Sequence, residues 1–526
     1  MDDEKCAFDR NSGWSWKAAV ATALLVWSVP SAAWARQPRP VHQEPAGVLM
    51  DTLYADVSRQ LARHRRGERW RSSDSGVLAW SCGQQLSALV DMYQATSERK
   101  WLDQLVEYAD AMFANLTPNR DGFLSWRSRS YSLVPIRLRA AAANRSAARI
   151  EPGELRIQQT TWMRRLVGVE LRAAKPAKTS WDYELIWREA SRFELRRPDG
   201  TIGSVIAVDA KGRFEPLPLV KLRLVGKPGA GDRFVLTVEL PKDFDSAVHD
   251  GVILTPICRF IALIRDKPEL SAAYGTKANR YLEVIESDLV PKWDKYWRDW
   301  GDGGLLVAPN DASLAYPGIS LPHNQYLALG NVLVLLHRIT GKHACRDRAT
   351  RMARFFKSCL RLKDDHYEWH YWDPTGRWDE RWNKPKEIRP EDTGHGSLDI
   401  CFVIDAADAG IVFDQTDVGR FANTFLKVMW NGSLEKPVVG GYVNTSRPTR
   451  QSGNLQDWLR LSRVEPRILP VCSKVIPGSG SLKAKAQLLR LLAVGGGRQR
   501  PSWRPRAERN SRELKFRGPQ IVPGNP

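Results

Sequence analysis

The chain lacks the cysteine patterns of a small metal or redox domain. Its 526 residues include seven cysteines, Cys6, Cys82, Cys258, Cys345, Cys359, Cys401 and Cys472, and none forms a C-x-x-C pair. That excludes a zinc-ribbon signature and leaves no disulfide framework to read. Most of these residues sit in apolar helical patterns, where a free cysteine behaves as a small hydrophobe. The N-terminal apolar run, Ala18 to Val29, is too short to be a typical membrane span. Acidic residues are outnumbered, 59 against 79 Lys and Arg, for a formal net charge of +20. Such an excess can mark a partner of nucleic acid or acidic polymers. Its distribution argues against nucleic acid. Val464 to Pro526 holds 13 Lys and Arg and 3 Asp and Glu, so half of the excess lies in the last 63 residues. No nucleic-acid motif accompanies it.

The rest of the composition is globular, with 43% apolar and 26% charged residues. The length exceeds one ordinary core, so two or more units are expected. The 21 tryptophans are far above ordinary usage. Flat indole surfaces stack on sugar rings, and they also pack cores. Lys17, the apolar run and Ala33-Trp34-Ala35 together read as a signal peptide over 1–35. The expectation is therefore an exported chain, periplasmic or secreted, with no membrane span after cleavage.

A Pro-rich linker over 36–47 precedes helical periodicity over 48–130. Gly76 to Thr96 and Trp101 to Leu116 form one helical hairpin across the turn Ser97-Glu98-Arg99-Lys100. From about Glu154 to Leu240 the pattern alternates, as in Tyr183-Glu184-Leu185-Ile186-Trp187, with turn signals such as Pro198-Asp199-Gly200. That predicts an inserted antiparallel β unit, assigned to 131–245. Helical pairs return over 246–462, opened by His249, His323 and His395 at spacings of 74 and 72 residues. A period of that length built from helix pairs predicts a curling or closing repeat. Residues 463–526 turn rich in Pro, Gly and Arg, which predicts a basic disordered tail or a disturbed reading frame.

Six of the nine histidines fall between His323 and His395, and four of them belong to three clusters of candidate residues. In Pro322-His323-Asn324-Gln325-Tyr326, His323 and Tyr326 are three apart and share a helical face. They serve either as an acid–base pair or as helix-start packing. In His366-Tyr367-Glu368-Trp369-His370-Tyr371-Trp372-Asp373, alternation separates the histidines from the aromatics. Tyr and His transfer protons and aromatics make sugar platforms, while packing is the plainer role. Three polar residues at alternate positions could also hold a metal, but packing and proton transfer rank above that role and no metal is expected. In Arg389-Pro390-Glu391-Asp392-Thr393-Gly394-His395, Asp392 suits a helix cap, and one of Glu391 and Asp392 suits acid–base work. Asp121 to Arg127 adds Trp126 and Arg127 as candidates for stacking on, and pairing with, a sugar acid. A rim of helix N-termini also attracts anions.

On these residues the chain resembles the (α/α) toroid carbohydrate-active proteins: alginate- and heparinase-type polysaccharide lyases, the helical domain of glucuronyl C5-epimerases, and six-hairpin glycosidases. The resemblance spans about Val48 to Leu461. It rests on Leu86 to Tyr93, His323-Asn324-Gln325-Tyr326, Tyr367 to Tyr371 and Glu391 to His395. It implies a mainly α fold, an (α/α) toroid of helical hairpins, and the inserted antiparallel β unit read from the alternating pattern departs from a simple toroid. It further implies abstraction of the C5 proton of a uronate polymer without a cofactor, ending in β-elimination or epimerisation. The catalytic candidates are then His323, Tyr326, His370, Tyr371, Glu391, Asp392 and His395. The substrate-binding candidates are Trp126, Arg127, Asn324, Tyr367, Trp369 and Arg389. A glycosidase with a carboxylate pair and a non-catalytic glycan binder are the alternatives.

Overall fold

The computed structural model describes residues 46–494, apart from 68, 142–143, 145, 153–177, 190, 374, 377–378, 380–388 and 451. These residues all belong to one unit, which begins at Pro45. The expected signal peptide, nearly all of the linker, and residues 495–526 lie outside them.

The described chain is mainly helical, with small antiparallel sheets. Its longer helices are α1 (Ala46–Arg66), α2 (Gln84–Thr96), α3 (Lys100–Ala114), α4 (Ala247–Asp266), α5 (Pro268–Val284), α6 (His323–Thr340), α7 (His343–Cys359), α8 (Thr393–Asp408), α9 (Gln415–Asn423), α10 (Ile468–Val475) and α11 (Leu482–Val494). Successive helices pair: α2 with α3, α4 with α5, α6 with α7 and α8 with α9. The first member of each pair also packs on the first member of the next, α2 on α4, α4 on α6 and α6 on α8. Composition follows position. α7 buries only one stripe, Ala349, Met352, Ala353, Phe355 and Phe356, as suits a helix with one face to water. α4 is apolar almost all round because helices cover it on both sides. It is long and apolar enough to cross a membrane, yet 94% of its apolar window is buried inside the fold. Gly251 permits its close approach to α6, since a Cβ there would lie 2.3 Å from the carbonyl carbon of Ala328.

The β unit has its own core. Strands β1 (Ile136–Ala140), β2 (Arg149–Pro152), β3 (Ser180–Arg188), β4 (Arg192–Arg196), β5 (Ile202–Ala207), β6 (Arg213–Leu217), β7 (Val220–Val225) and β8 (Arg233–Glu239) make two antiparallel sheets. Their orders are β1-β8-β3-β4-β5 and β2-β7-β6. Alternate residues of the strands, including Tyr183, Leu185, Phe193, Phe214, Phe234 and Leu236, bury together. The unit is tied to the helices at its base, where Ser128 pairs with Phe244 and the Leu133 N–H donates to the Ser313 carbonyl at 2.7 Å.

The expected tail from 463 onward needs correcting over its described part. α10 and α11 are helices, and α11 packs on α2 and α1. α11 buries Leu482, Ala484, Ala486, Leu488 and Leu489. Its basic residues are used internally: Lys483 pairs with Asp457 at 2.5 Å, Lys485 with Asp56 at 2.7 Å and Arg490 with Asp91 at 2.7 Å. The segment reads as tail-like because its polar residues find their partners far away in sequence.

Candidate functional site

Two stretches meet at the start of α8. The Tyr371 N–H donates to the Arg389 carbonyl at 3.1 Å, and the Glu391 N–H to the Trp369 carbonyl at 3.1 Å. This short antiparallel pairing brings Tyr371, Arg389 and the α8 N-terminus together. Asp392 caps that helix, its Oδ1 accepting from Gly394 N at 3.0 Å and His395 N at 2.9 Å. Its other oxygen meets His395 Nδ1 at 2.6 Å. Burial raises the Asp392 carboxyl, but the hydrogen bonds and charge of His395 more than offset this, and the net shift is downward. An ionised Asp392 favours the imidazole tautomer that carries its proton on Nδ1 and a lone pair on Nε2. The His395 side chain is 32% exposed, and Nε2 has no hydrogen-bond partner among the described residues.

Tyr371 stands beside it, ring centroids 5.2 Å apart, and the half-exposed Arg389 guanidinium lies 4.3 Å from the Tyr371 centroid. Burial, with smaller contributions from Tyr131 and Glu391, raises the Tyr371 hydroxyl far above its ordinary value. It stays protonated at any working pH. Gln325 hydrogen-bonds to it.

Glu391 does not share the partial exposure of His395. It is fully buried, and burial followed by the charges of Asp399 and Asp392 holds it protonated. Asp399, equally buried, is raised to about 7 by burial even though it is hydrogen-bonded to Trp369 and Glu391. The two buried carboxyls interact directly in the core.

The remaining expected site residues fall elsewhere. His323 and Tyr326 are bonded, Nδ1 to Oη at 2.8 Å, but both are buried and reach no polymer. His323 and His370 flank Asp373, at 3.1 Å from His323 Nε2 and 3.3 Å from His370 Nδ1. Trp126 and Trp369 are not stacking platforms. Trp126 is completely buried and donates to the Met112 carbonyl at 2.8 Å. Trp369 is 1% exposed, donates to Asp399 at 2.9 Å and stacks on Trp458. Tyr367 is buried and held by Asp417 at 2.7 Å and Arg420 at 2.9 Å. Asn324 is buried at the start of α6. Arg127 pairs with Asp243 at 3.6 Å and lines a separate cavity of about 1060 Å³ with Arg120, Lys295 and Arg298.

Sequence reasoning gave no role to Tyr131, Ser75 or Trp80. His249 meets Ser75 Oγ at 2.9 Å through Nδ1 and lies between the rings of Tyr131 and Trp80, 5.7 and 5.8 Å from its own. Burial lowers it to about 4, so it is neutral at working pH. Trp80, 46% exposed, sits on a π-helical turn, Leu78–Gly83. No spacing announces Tyr131. The π-helical turn and the clustered rings exist only in three dimensions.

No family model and no curated protein matches the chain. Solved structures similar to part of it include FlgL from Xanthomonas campestris, at 11% identity over 40% of this chain and 71% of that one, TM-score 0.14. Another is the flagellar junction protein FlgL from Legionella pneumophila, at 12% identity over 40% and 71%, TM-score 0.12. Likenesses this slight carry no inference about fold or role.

Proposed function

We propose that this is an exported carbohydrate-active enzyme that abstracts the C5 proton of a uronate residue in an anionic polysaccharide, by way of His395, Tyr371 and Arg389. The order of helix contacts supports the toroid architecture behind this reading. α11, α2, α4, α6 and α8 pack in sequence, and the turn Trp458–Arg463 touches both α8 and α11, so the path returns on itself.

One observation carries the assignment: a partly exposed His395 whose Nε2 has no hydrogen-bond partner among the described residues, oriented through Nδ1 by an ionised Asp392, beside a protonated Tyr371 that Arg389 covers. Nε2 takes the proton from C5. The Arg389 guanidinium pairs with the uronate carboxylate and stabilises the charge that develops there. In elimination the Tyr371 O–H protonates the bridging oxygen as the C4–O bond breaks and the C4=C5 bond forms. In epimerisation a proton returns to C5 from the opposite face. The glycosidase alternative has less support, because of its candidate carboxylates Glu391 is fully buried and held protonated, Asp392 caps α8 and bonds His395, and Asp373 bonds His323.

The test is ultraviolet absorbance of the purified chain with alginate, heparan, chondroitin, hyaluronan and pectin. Unsaturated uronate ends should appear on one of them and vanish with His395→Ala. Elimination is refuted if absorbance stays flat on every polymer with a folded chain.

A further inference from the structure

We propose that the chain carries a zinc-type metal site where the start of α6, the end of α7 and the segment after the Arg361–Lys363/His366–Glu368 hairpin converge. The donors are His323, Cys359 and Asp373, and His370 steadies the other Asp373 oxygen from outside that set. Donor atoms of the first three lie within 4.8 Å of one another. His370 Nδ1 is 3.3 Å from Asp373 Oδ1. This inference does not depend on the uronate reading, which uses none of these four residues.

Nitrogen, sulfur and oxygen donors are what Zn²⁺ selects, and three protein ligands leave its fourth position open. The spacing fits as well. Two ligands at about 2.0–2.1 Å from a tetrahedral ion stand roughly 3.3 Å apart, and His323 Nε2 and Asp373 Oδ2 are 3.1 Å apart. The outer contacts are in place too. The ring of His323 is held through Nδ1 by Tyr326 at 2.8 Å, the kind of second contact that orients a metal-binding imidazole. Cys359 is the last residue of α7, where partly negative helix carbonyls favour a cation.

Arg361 contacts Asp373 at 3.3 Å and His370 at 2.6 Å, supplying positive charge to the same carboxylate. Its side chain is 45% exposed, so an arriving ion can displace it into solvent. On binding, the ion takes the place of the proton between Nε2 and Oδ2, and Nδ1–H then donates to Tyr326 Oη. The Cys359 thiol loses its proton to solvent as the metal–sulfur bond forms, and no electron is transferred.

The test is a titration of the chelator-stripped full chain with Co²⁺, followed by competition with Zn²⁺. About one equivalent should give intense tetrahedral d–d bands and a sulfur-to-cobalt charge-transfer band. Cys359→Ser should abolish the charge-transfer band while leaving the circular dichroism spectrum unchanged. His370→Ala should weaken binding about tenfold or more, and Arg361→Gln should tighten it. The proposal is overturned by the absence of tight binding, by weak octahedral bands, or by a charge-transfer band that survives in Cys359→Ser.

Discussion

At the scale of single residues, the account rests on how Asp392 disposes the proton of His395. Asp392→Asn keeps a cap oxygen but removes the charge that fixes the His395 tautomer. It should change the melting temperature little and lower turnover about 10²–10⁴-fold, the usual weight of a general base; equal loss of both would contradict the assignment. The buried pair of Glu391 and Asp399 behaves differently. Asp399 rises from 3.8 unfolded to about 7 folded, so between those values the folded chain holds more protons than the unfolded one. Stability should fall as pH rises from about 4 to about 7. Asp399→Asn can still accept from Trp369 and should flatten that fall, as melting temperatures at pH 5 and pH 8 would show. The His395 and Asp392 pairing was legible in sequence because an Asp three residues ahead of a His at a helix start is a local pattern. Tyr131, Ser75 and Trp80 were not legible, because only tertiary packing brings them to His249. The burial of Trp126 and Trp369 was equally hidden, since an indole reads the same in a core and on a platform.

At the scale of elements, the helices are clamped by a buried ion network. Asp405 of α8 accepts from Arg259 of α4 at 2.9 Å and from Arg460, and Asp457 holds Lys483 of α11 at 2.5 Å. Arg460 and Arg259 pull Asp405 far below its ordinary value against the effect of its burial. Its contribution is present above the unfolded value and is lost as pH falls through the folded one. Asp405→Asn leaves two largely buried arginines short of a partner and should cost about 3–5 kcal/mol in denaturant titration; a loss below about 1 kcal/mol would mean that the network is screened. Gly251→Ala should also destabilise, because its Cβ would meet the backbone of Ala328. The helical pairs and the β unit were legible from 3.6- and 2-residue periodicities. Gly251 was not, since a lone glycine inside a helix does not announce which neighbour it admits.

At the scale of the whole molecule, the largest departure from the sequence reading is the C-terminal region. α11 lies against α1 and α2 from the opposite end of the chain, so its Lys and Arg looked like a solvated tail until their acidic partners were placed. A chain stopped after Ser462 should be insoluble or lose cooperative melting, because it loses the α11 contacts with α1 and α2. The central claim is that a uronate C5 proton is removed by His395. It is tested most directly by incubating the full chain with uronate polymers in D₂O and following C5 by NMR. Deuterium at C5, or a C4=C5 double bond, should appear with the unmodified chain and disappear with His395→Ala. Neither signal on any polymer, or either signal undiminished in His395→Ala, would contradict the account.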